Sequence, residues 1–465
     1  MGLRRADARF ILPQHVERAI VLGLPEWREA LEEAGIEVVR GAEGEELVIA
    51  AAERADAALA LRPRQLLLVG GRPWRRLRSA GWSAQAVQPL PDLERPELLV
   101  PLGQRAAVAY ALRRRSSLSR ARLVGATELL ARGVAAPGRP VLTAAARNGA
   151  RPFLVRAAEE SLGLDAAEWF FAFDPWAQRF TRGALHLFRT AEKEPAWVLK
   201  FARVPGLAEL FDRDEQGLRL AARSPVVALH APKLVGRLEV AGLHASVETA
   251  AVGTRLPTLL ALPGRRAERL ALVERVADWV VRVGVETASR DSRQQADLQR
   301  LDPAFATEFA QVPAVFSHGD LVGENVIVTG EGFTVLDWES AREHGSPLWD
   351  LFYFLTGSLA ALDGLGDESR REEHFARLWR GELPSSDVLF RWTRRAVEAG
   401  GIPPQAVGPL ATVLWQSYAR LDEDMAERLE LAESRPRERE PATVRFVRRW
   451  LADPLLGPGW DRWRG

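Results

Sequence analysis

The sequence predicts an α+β protein: an N-terminal α/β domain over residues 1–150, then a two-lobed domain over 151–465 with a small β-rich lobe (about 165–252) and a helical lobe (about 253–465). Three observations predict it. From about residue 16 to 115, short apolar runs alternate with amphipathic ones, the pattern of strands and helices in one α/β layer. From Phe180 the runs come in pairs around turn-forming residues, as in hairpins. Beyond Gly253, apolar residues recur at helical spacing. With 465 residues, 47% of them apolar, the chain can bury large cores, which excludes a disordered tail or a small stapled scaffold.

The first domain reads as runs Val16–Leu22, Ile36–Val39, Leu47–Ala51 and Gln65–Val69, with amphipathic Pro25–Ala34 and Arg72–Ala80 between them. This alternation predicts a largely parallel, Rossmann-like sheet. Ala19–Leu22 leads into Gly23-Leu24-Pro25-Glu26, which lacks G-x-G-x-x-G, and Gly70-Gly71 reads as plain turn glycines. Arg113 to Arg122 interleaves serines but no aromatic residue for stacking, so it reads as a solvated linker or helix end. With Gly133–Pro140 it marks the expected boundary.

In the second domain Ala184–Arg189 and Ala196–Ala202 flank the polar Thr190–Pro195, which predicts a hairpin. A helical run (Leu207–Arg223) and a second hairpin follow, Lys233–Val240 with Leu243–Thr249, turning at Ala241-Gly242. Ala267–Val283 then places Leu270, Val273, Val276, Ala277, Val280 and Val281 on one helical face.

Lys plus Arg (63) nearly balances Asp plus Glu (62), so no global field drives the chain onto nucleic acid or an anionic bilayer. The absence of cysteine removes disulfides, thiolate metal sites and cysteine nucleophiles, leaving O and N groups for chemistry. Met1–Leu24 lacks the apolar core of a secretory signal, and no window approaches the roughly 20 apolar residues that span a bilayer, so a cytoplasmic protein is expected. Only three lysines (Lys193, Lys200, Lys233) and two asparagines (Asn148, Asn325) occur beside 60 arginines. A GC-rich coding bias explains the skew, and it makes each surviving Lys or Asn informative.

Between runs Val312–Phe316 and Val326–Thr329 lies Ser317-His318-Gly319-Asp320-Leu321-Val322-Gly323-Glu324-Asn325, and the next run, Phe333–Leu336, delivers Asp337-Trp338-Glu339. Phosphoryl transfer needs a carboxylate to orient the acceptor hydroxyl and take its proton, and a hard oxygen set for Mg²⁺. Asp-x-x-x-x-Asn followed by Asp after the next hairpin supplies both. At this composition H-G-D-x-x-x-x-N is expected roughly 3 times in 10,000 such chains by chance.

On these residues the chain resembles the aminoglycoside phosphotransferase and choline kinase-like family, which has a protein kinase-like fold. The resemblance covers about residues 165 to 450 and is strongest over Phe316–Leu355, through HGDLVGEN, VLDWES and GSPLWDLFYF. It implies Asp320 as base, Asn325 and Asp337 as Mg²⁺ ligands, His318 as a brace of the catalytic loop and Asp350 as a structural clamp. It also implies that Lys200, in Trp197-Val198-Leu199-Lys200, meets the α and β phosphates of ATP, with Glu215 as its partner, Asp214 as the neighbouring alternative and Arg203 as the next candidate anchor. Val247 to Ala250, with Glu248, would be the hinge whose backbone meets adenine. The phosphate-covering loop stays unassigned, since only Thr181-Arg182-Gly183 precedes Ala184. Twelve residues between Asp337 and Asp350 leave no room for a protein kinase's activation segment, which favours a small-molecule hydroxyl as acceptor.

The remaining histidines show no ligand spacing, and Trp392, Trp415, Trp450, Trp460 and Trp463 read as packing residues. Asp422-Glu423-Asp424 reads as a solvated helix face. The sequence thus predicts an ATP- and Mg²⁺-dependent small-molecule phosphotransferase. The alternatives are a nucleotide-binding pseudokinase with a regulatory or scaffold role, and an active N-terminal domain with the kinase fold as partner. Neither the acceptor nor the oligomeric state is legible.

Overall fold

The computed structural model describes residues 3–40, 46–115, 120–136, 138–173, 182–206, 208–290, 303–330, 332–365, 368–433 and 440–464. They form two compact units, Met1–Phe211 with Leu234–Ala250, and Asp212–Lys233 with Ala251–Gly465.

The first unit is built on a 12-stranded sheet. Its parallel part is β1 (Arg18–Leu22), β2 (Glu37–Val39), β3 (Leu47–Ala51) and β4 (Gln65–Val69), in the order β2-β1-β3-β4. The helices Glu26–Glu33 and Trp74–Ser79 fall where the amphipathic runs place them. Beyond β4 every pairing is antiparallel, through β5 (Ser83–Leu90), β6 (Leu98–Pro101), β7 (Leu142–Ala146), β8 (Glu168–Phe173), β9 (Arg182–Phe188), β10 (Trp197–Ala202), β11 (Leu234–Val240) and β12 (Leu243–Thr249).

This corrects two expectations. The sheet is parallel only in its first four strands, and those strands are not closed off as a Rossmann-like domain. Nor does the sheet break near residue 150, because β8 pairs with β6 on one edge and with β9 on the other. Gly133–Pro140 only links the helix Arg120–Ala131 to β7, which sits between β4 and β5. In β8 (EWFFAF) apolar side chains point to both faces and are buried on both, as in an interior strand. Arg113–Arg115 end one helix and Arg120 begins the next, as expected of helix ends; residues 116–119 lie outside the described residues.

The hairpins stand where the sequence puts them. Ala241 and Gly242 both have positive φ (51° and 72°), the conformation that a two-residue turn needs to match strand twist. Under β10 lies the buried turn Asp7–Ile11. Phe10 meets Phe201 edge to face at 4.6 Å, and Asp7 accepts hydrogen bonds from the Arg203 guanidinium, including one from Nε at 3.0 Å. Arg203 is 1% exposed and engaged with Asp7, so it is not a spare phosphate anchor.

The second unit is mostly helical, with the helices Arg266–Glu286, Trp349–Leu362, Glu368–Arg380, Ser386–Gly400, Val407–Glu433 and Ala442–Ala452. Between them lie β13 (Thr254–Arg255), β14 (Val315–Ser317), β15 (Val326–Val328), β16 (Phe333–Val335) and β17 (Arg342–Gly345). These pair as β13-β15-β16 and β14-β17. Trp379 makes edge contacts with Phe352, Trp415 and Trp450, and Trp460 donates its indole N–H to the Trp379 carbonyl at 2.9 Å. The tryptophan-rich end is a core, as its composition suggests. Among the described residues no helix is long and apolar enough to cross a membrane.

Candidate active site

The residues singled out by the sequence fall in both units. Lys200, Glu248 and Ala250 belong to the first; Glu215, His318, Asp320, Asn325, Asp337 and Asp350 belong to the second. Residues 174–181, the stretch before β9 where a phosphate-covering loop was sought, lie outside the described residues.

In the second unit β14 ends at Ser317 and the chain turns through His318-Gly319-Asp320. The turn is held from behind by Asp350, whose two carboxylate oxygens accept the N–H groups of His318 (2.6 Å) and Gly319 (2.9 Å). The clamp expected of Asp350 is therefore visible as a pair of backbone bonds. Gly319 has φ +81°, and a Cβ there would stand 2.4 Å from the Ser340 carbonyl oxygen, so only glycine fits this position.

His318 is buried and braced on both ring nitrogens. Nε2–H donates to the Leu336 carbonyl at 2.8 Å, which leaves Nδ1 to accept the Asp320 N–H at 3.3 Å, and the ring meets Trp338 edge on at 4.6 Å. Burial lowers its pKa, so the ring stays neutral. Both nitrogens are thus engaged inside the fold, one of them with the Asp320 backbone.

Asn325 closes the loop by donating Nδ2–H to the Asp320 carbonyl at 3.0 Å, with the Asp320 carboxylate at 3.5 Å from the same nitrogen. This orientation turns the amide oxygen away from Asp320. The β15–β16 hairpin then pairs Val326 with Val335, and Leu336 N–H donates to Asn325 O at 2.8 Å. Asn325 and Asp337 thus emerge together at one end of a two-strand ladder. Asp337 takes a left-handed conformation (φ 61°, ψ 62°), a backbone state costly for most residues and concentrated at functional sites. A carboxylate and an amide oxygen are hard donors suited to Mg²⁺, which keeps waters and phosphate oxygens for its other positions. Among the described residues no group of three or more His, Cys, Asp or Glu forms an all-protein metal site.

The Asp320 carboxyl is pushed up to about 6, first by burial and then by the carboxylates of Asp337, Asp350 and Asp422. A carboxyl raised toward neutrality beside a metal-type donor pair is suited to accept a hydroxyl proton.

Three residues near Asp320, Tyr418, Tyr353 and Asp422, are not singled out as site residues by the sequence. Tyr418 donates its hydroxyl to the Gly319 carbonyl at 2.8 Å and accepts the Trp349 indole N–H at 2.9 Å. Tyr353 stacks on Tyr418 at 3.7 Å, and burial together with Asp320, Asp422 and Glu324 raises its hydroxyl pKa. The chain has only three tyrosines, so the scarcity that pointed to Lys200 and Asn325 points here as well. Asp422 is not simply a solvated residue: it accepts the Thr443 hydroxyl at 2.5 Å and acts on Asp320, while Glu423 and Asp424 are exposed.

The helix Ala208–Arg223 reaches the same site. A Cβ on Gly217 would fall 1.9 Å from the Trp338 carbonyl oxygen, next to Asp337. Gly217→Ala is therefore expected to push this helix off the Asp337 turn, costing about 2 kcal/mol of stability and raising the Mg²⁺ concentration needed for half-maximal turnover. Thermal unfolding and a Mg²⁺ titration check it. Two residues before Gly217 on this helix, Glu215 pairs with Arg219.

In the first unit Lys200 lies on the half-exposed face of β10, while Leu199 and Phe201 are buried on the other. Its Nζ is 3.2 Å from Glu248 Oε2, with Glu248 on the neighbouring strand β12. Glu248, expected only for its backbone, thus meets Lys200 through its side chain. Ala250 N–H donates to the Ala196 carbonyl at 3.0 Å, so a base contact at this residue falls to its carbonyl.

Residues 176–384 match the sequence model of the phosphotransferase enzyme family, APH. The match spans Lys200 through Asp350 and meets the resemblance read from the motifs. No curated protein matches the chain. Among solved structures, the chain is similar to the aminoglycoside phosphotransferase APH(3'')-Id from Streptomyces rimosus in complex with ADP and streptomycin (15% identity, 54% of this chain and 91% of that chain, TM-score 0.32). It is similar too to WbdD (13%, 87% and 88%, TM-score 0.30) and to a glucosamine kinase in complex with glucosamine, ADP and inorganic phosphate (14%, 55% and 75%, TM-score 0.30).

Proposed function

We propose that this protein transfers the γ-phosphoryl group of ATP to a hydroxyl of a small molecule. The observation that carries the reading is Asp320, held by Asn325 and His318, raised to about 6 and placed beside the Asn325–Asp337 donor pair. Bound ATP with Mg²⁺ supplies the phosphoryl group and neutralises its charge. Asp320 would accept the acceptor's proton at its carboxylate as the hydroxyl oxygen bonds to the γ-phosphorus and the bond from that phosphorus to the β–γ bridging oxygen breaks, with ADP leaving. Asn325 and Asp337 would hold the metal through an amide and a carboxylate oxygen, and Lys200 would offer an ammonium to the phosphates. The Asp422 carboxylate acts on Asp320, and Asp320, Asp422 and Glu324 all act on the Tyr353 hydroxyl, which favours an acceptor whose hydroxyl is carried near a protonated amine.

Incubating the protein with ATP, Mg²⁺ and a library of neutral and amine-bearing alcohols, and reading the products by mass spectrometry, tests the reading. A mass gain of one phosphate on amine-bearing alcohols is expected. Nucleotide-dependent stabilisation with no phosphorylated product from any alcohol would replace this reading with that of a regulatory nucleotide binder.

Lys200→Ala is expected to lower kcat/KM for ATP by about 10²-fold, the order seen when one preorganised donor to developing charge is removed. Because it also takes a cation from the buried Glu248, the single variant should lose stability. Adding Glu248→Gln should restore stability without restoring turnover. Recovery of both would make the pair purely structural.

A further inference from the structure

Gly319 carries no Cβ, so its own backbone does little to restrain the peptide that joins it to Asp320. Three side chains hold this part of the turn instead. Asp350 Oδ1 accepts the Gly319 N–H at 2.9 Å, His318 Nδ1 accepts the Asp320 N–H at 3.3 Å, and the Tyr418 hydroxyl donates to the Gly319 carbonyl at 2.8 Å. In a trans peptide the carbonyl and the N–H point in opposite directions, so Tyr418 and His318 grip one peptide plane from its two sides. The tilt of that plane sets the direction in which the Asp320 side chain leaves the backbone.

Tyr418 makes the shorter of the two bonds to that plane, and it comes from far along the chain. It lies on the helix Val407–Glu433, 99 residues beyond Gly319, and is 3% exposed. Its oxygen accepts the Trp349 indole N–H at 2.9 Å, which leaves the hydroxyl proton for the Gly319 carbonyl. Burial raises the hydroxyl pKa, so the group stays a donor at neutral pH. Trp349 directly precedes Asp350, so the residue that aims Tyr418 and the residue that clamps the turn leave one helix end together.

The hydroxyl gives its proton to Gly319 and accepts one from Trp349, both inside the fold, so it acts on Asp320 through the backbone. Without it, the longer His318 bond alone would hold the peptide plane. Asp320 would then swing out of its burial and away from Asp337, Asp350 and Asp422, the carboxylates that act on it.

We propose that Tyr418, oriented by Trp349, is a positioning residue whose hydroxyl fixes the Gly319–Asp320 peptide and with it the place of the Asp320 carboxyl. The consequence for turnover rests on the phosphotransferase reading; the placement does not.

The test uses NMR of the full chain with carbon-13 at glycine carbonyls and nitrogen-15 at aspartates. Only two Gly-Asp peptides, Gly319-Asp320 and Gly366-Asp367, then give coupled signals. Tyr418→Phe removes the hydroxyl and keeps the ring that stacks on Tyr353. It should move the Gly319-Asp320 signal and leave the other in place. The pH at which that signal reports half-titration of Asp320 should fall by about half a unit or more, as the carboxyl gains solvent. In the transfer assay kcat should fall about tenfold or more, with the Kd for ATP and Mg²⁺ changed less than about twofold. Thr412→Val is the control. On the same helix it removes the acceptor of the Trp450 indole N–H (2.8 Å), so it should melt lower and leave signal, half-titration point and kcat unmoved. An unchanged half-titration point in folded Tyr418→Phe overturns the proposal, as does an equal shift in Thr412→Val. A shifted point with kcat unchanged overturns the consequence for turnover. Should Tyr418→Phe not fold, Trp349→Phe, which keeps the hydroxyl and removes the donor that orients it, decides on the same outcomes. A wild type that phosphorylates no alcohol would overturn the phosphotransferase reading alone, because the signal and its titration need no acceptor.

Discussion

Asp320→Asn is expected to lower kcat by about 10²–10⁴-fold while largely preserving ATP affinity. The substitution keeps the shape and removes the one atom pair able to take a proton at the turn. It leaves the Asp320 carbonyl and N–H, which hold Asn325 and His318, in place. The pH profile gives a second reading. With the free carboxyl at about 6, kcat/KM should rise with pH about tenfold per unit below that value and level off above it. In the complex a cation at Asp337 offsets one of the carboxylates that raise Asp320, so the kcat profile should inflect at lower pH. Stability should run the other way. Between the unfolded value near ~4 and the folded value of about 6 the native state keeps a proton that the unfolded chain has lost, so this contribution to stability falls as pH rises through that window. Asp320→Asn should remove that fall and melt higher than the wild type at neutral pH. Full turnover in the variant, or a kcat/KM profile flat from pH 5 to 8, would take the base role away from Asp320.

The turn that carries Asp320 is legible in sequence because its geometry is local. Four residues separate Asp320 from Asn325, and one short hairpin brings Asp337 beside them, so spacing alone encodes the juxtaposition. The glycine of His-Gly-Asp is equally local, since its left-handed φ and the Ser340 carbonyl leave no room for a side chain. Tyr353, Tyr418 and Asp422 are not legible in this way. Their approach to the turn depends on how two later helices pack, and no pattern within either helix states that contact.

The same division runs through the fold. Strands β1 to β4 and the two hairpins follow apolar runs of the right length with turn residues between them, and they stand within a few residues of their expected bounds. The continuity of the sheet was hidden because it depends on edge pairing between strands far apart in sequence, as where Leu98 meets Ala172. The short β6 (LLVP) gives little periodic signal. The link from Asp7 to Arg203 spans nearly the whole first unit and has no local trace, although it places the N-terminal turn under the strand that carries Lys200.

Asp337→Asn is expected to separate metal binding from proton transfer. Asp337 stands at the end of the hairpin with Asn325, and the pair supplies one carboxylate and one amide oxygen to a hard cation. Replacing the carboxylate with an amide removes the only formal charge of that pair. Mg²⁺-dependent nucleotide binding should weaken about tenfold or more, and turnover should fall by at least 10²-fold at fixed Mg²⁺, with partial recovery at high Mg²⁺. Asn325→Ala should resemble it, because the metal oxygen is lost while the Asp320 carboxylate stays. It should also lower stability by about 1 kcal/mol, since the Asp320 carbonyl loses its Nδ2–H donor. Asp320→Asn should show the opposite signature, with near-normal metal-dependent binding and no rescue by Mg²⁺. The deciding measurement is a Mg²⁺ titration of nucleotide binding by calorimetry, alongside single-turnover transfer, in all three variants. Equal loss of metal-dependent binding in all three would dissolve the division of roles between base and ligands, and unchanged binding in Asp337→Asn would place the cation elsewhere.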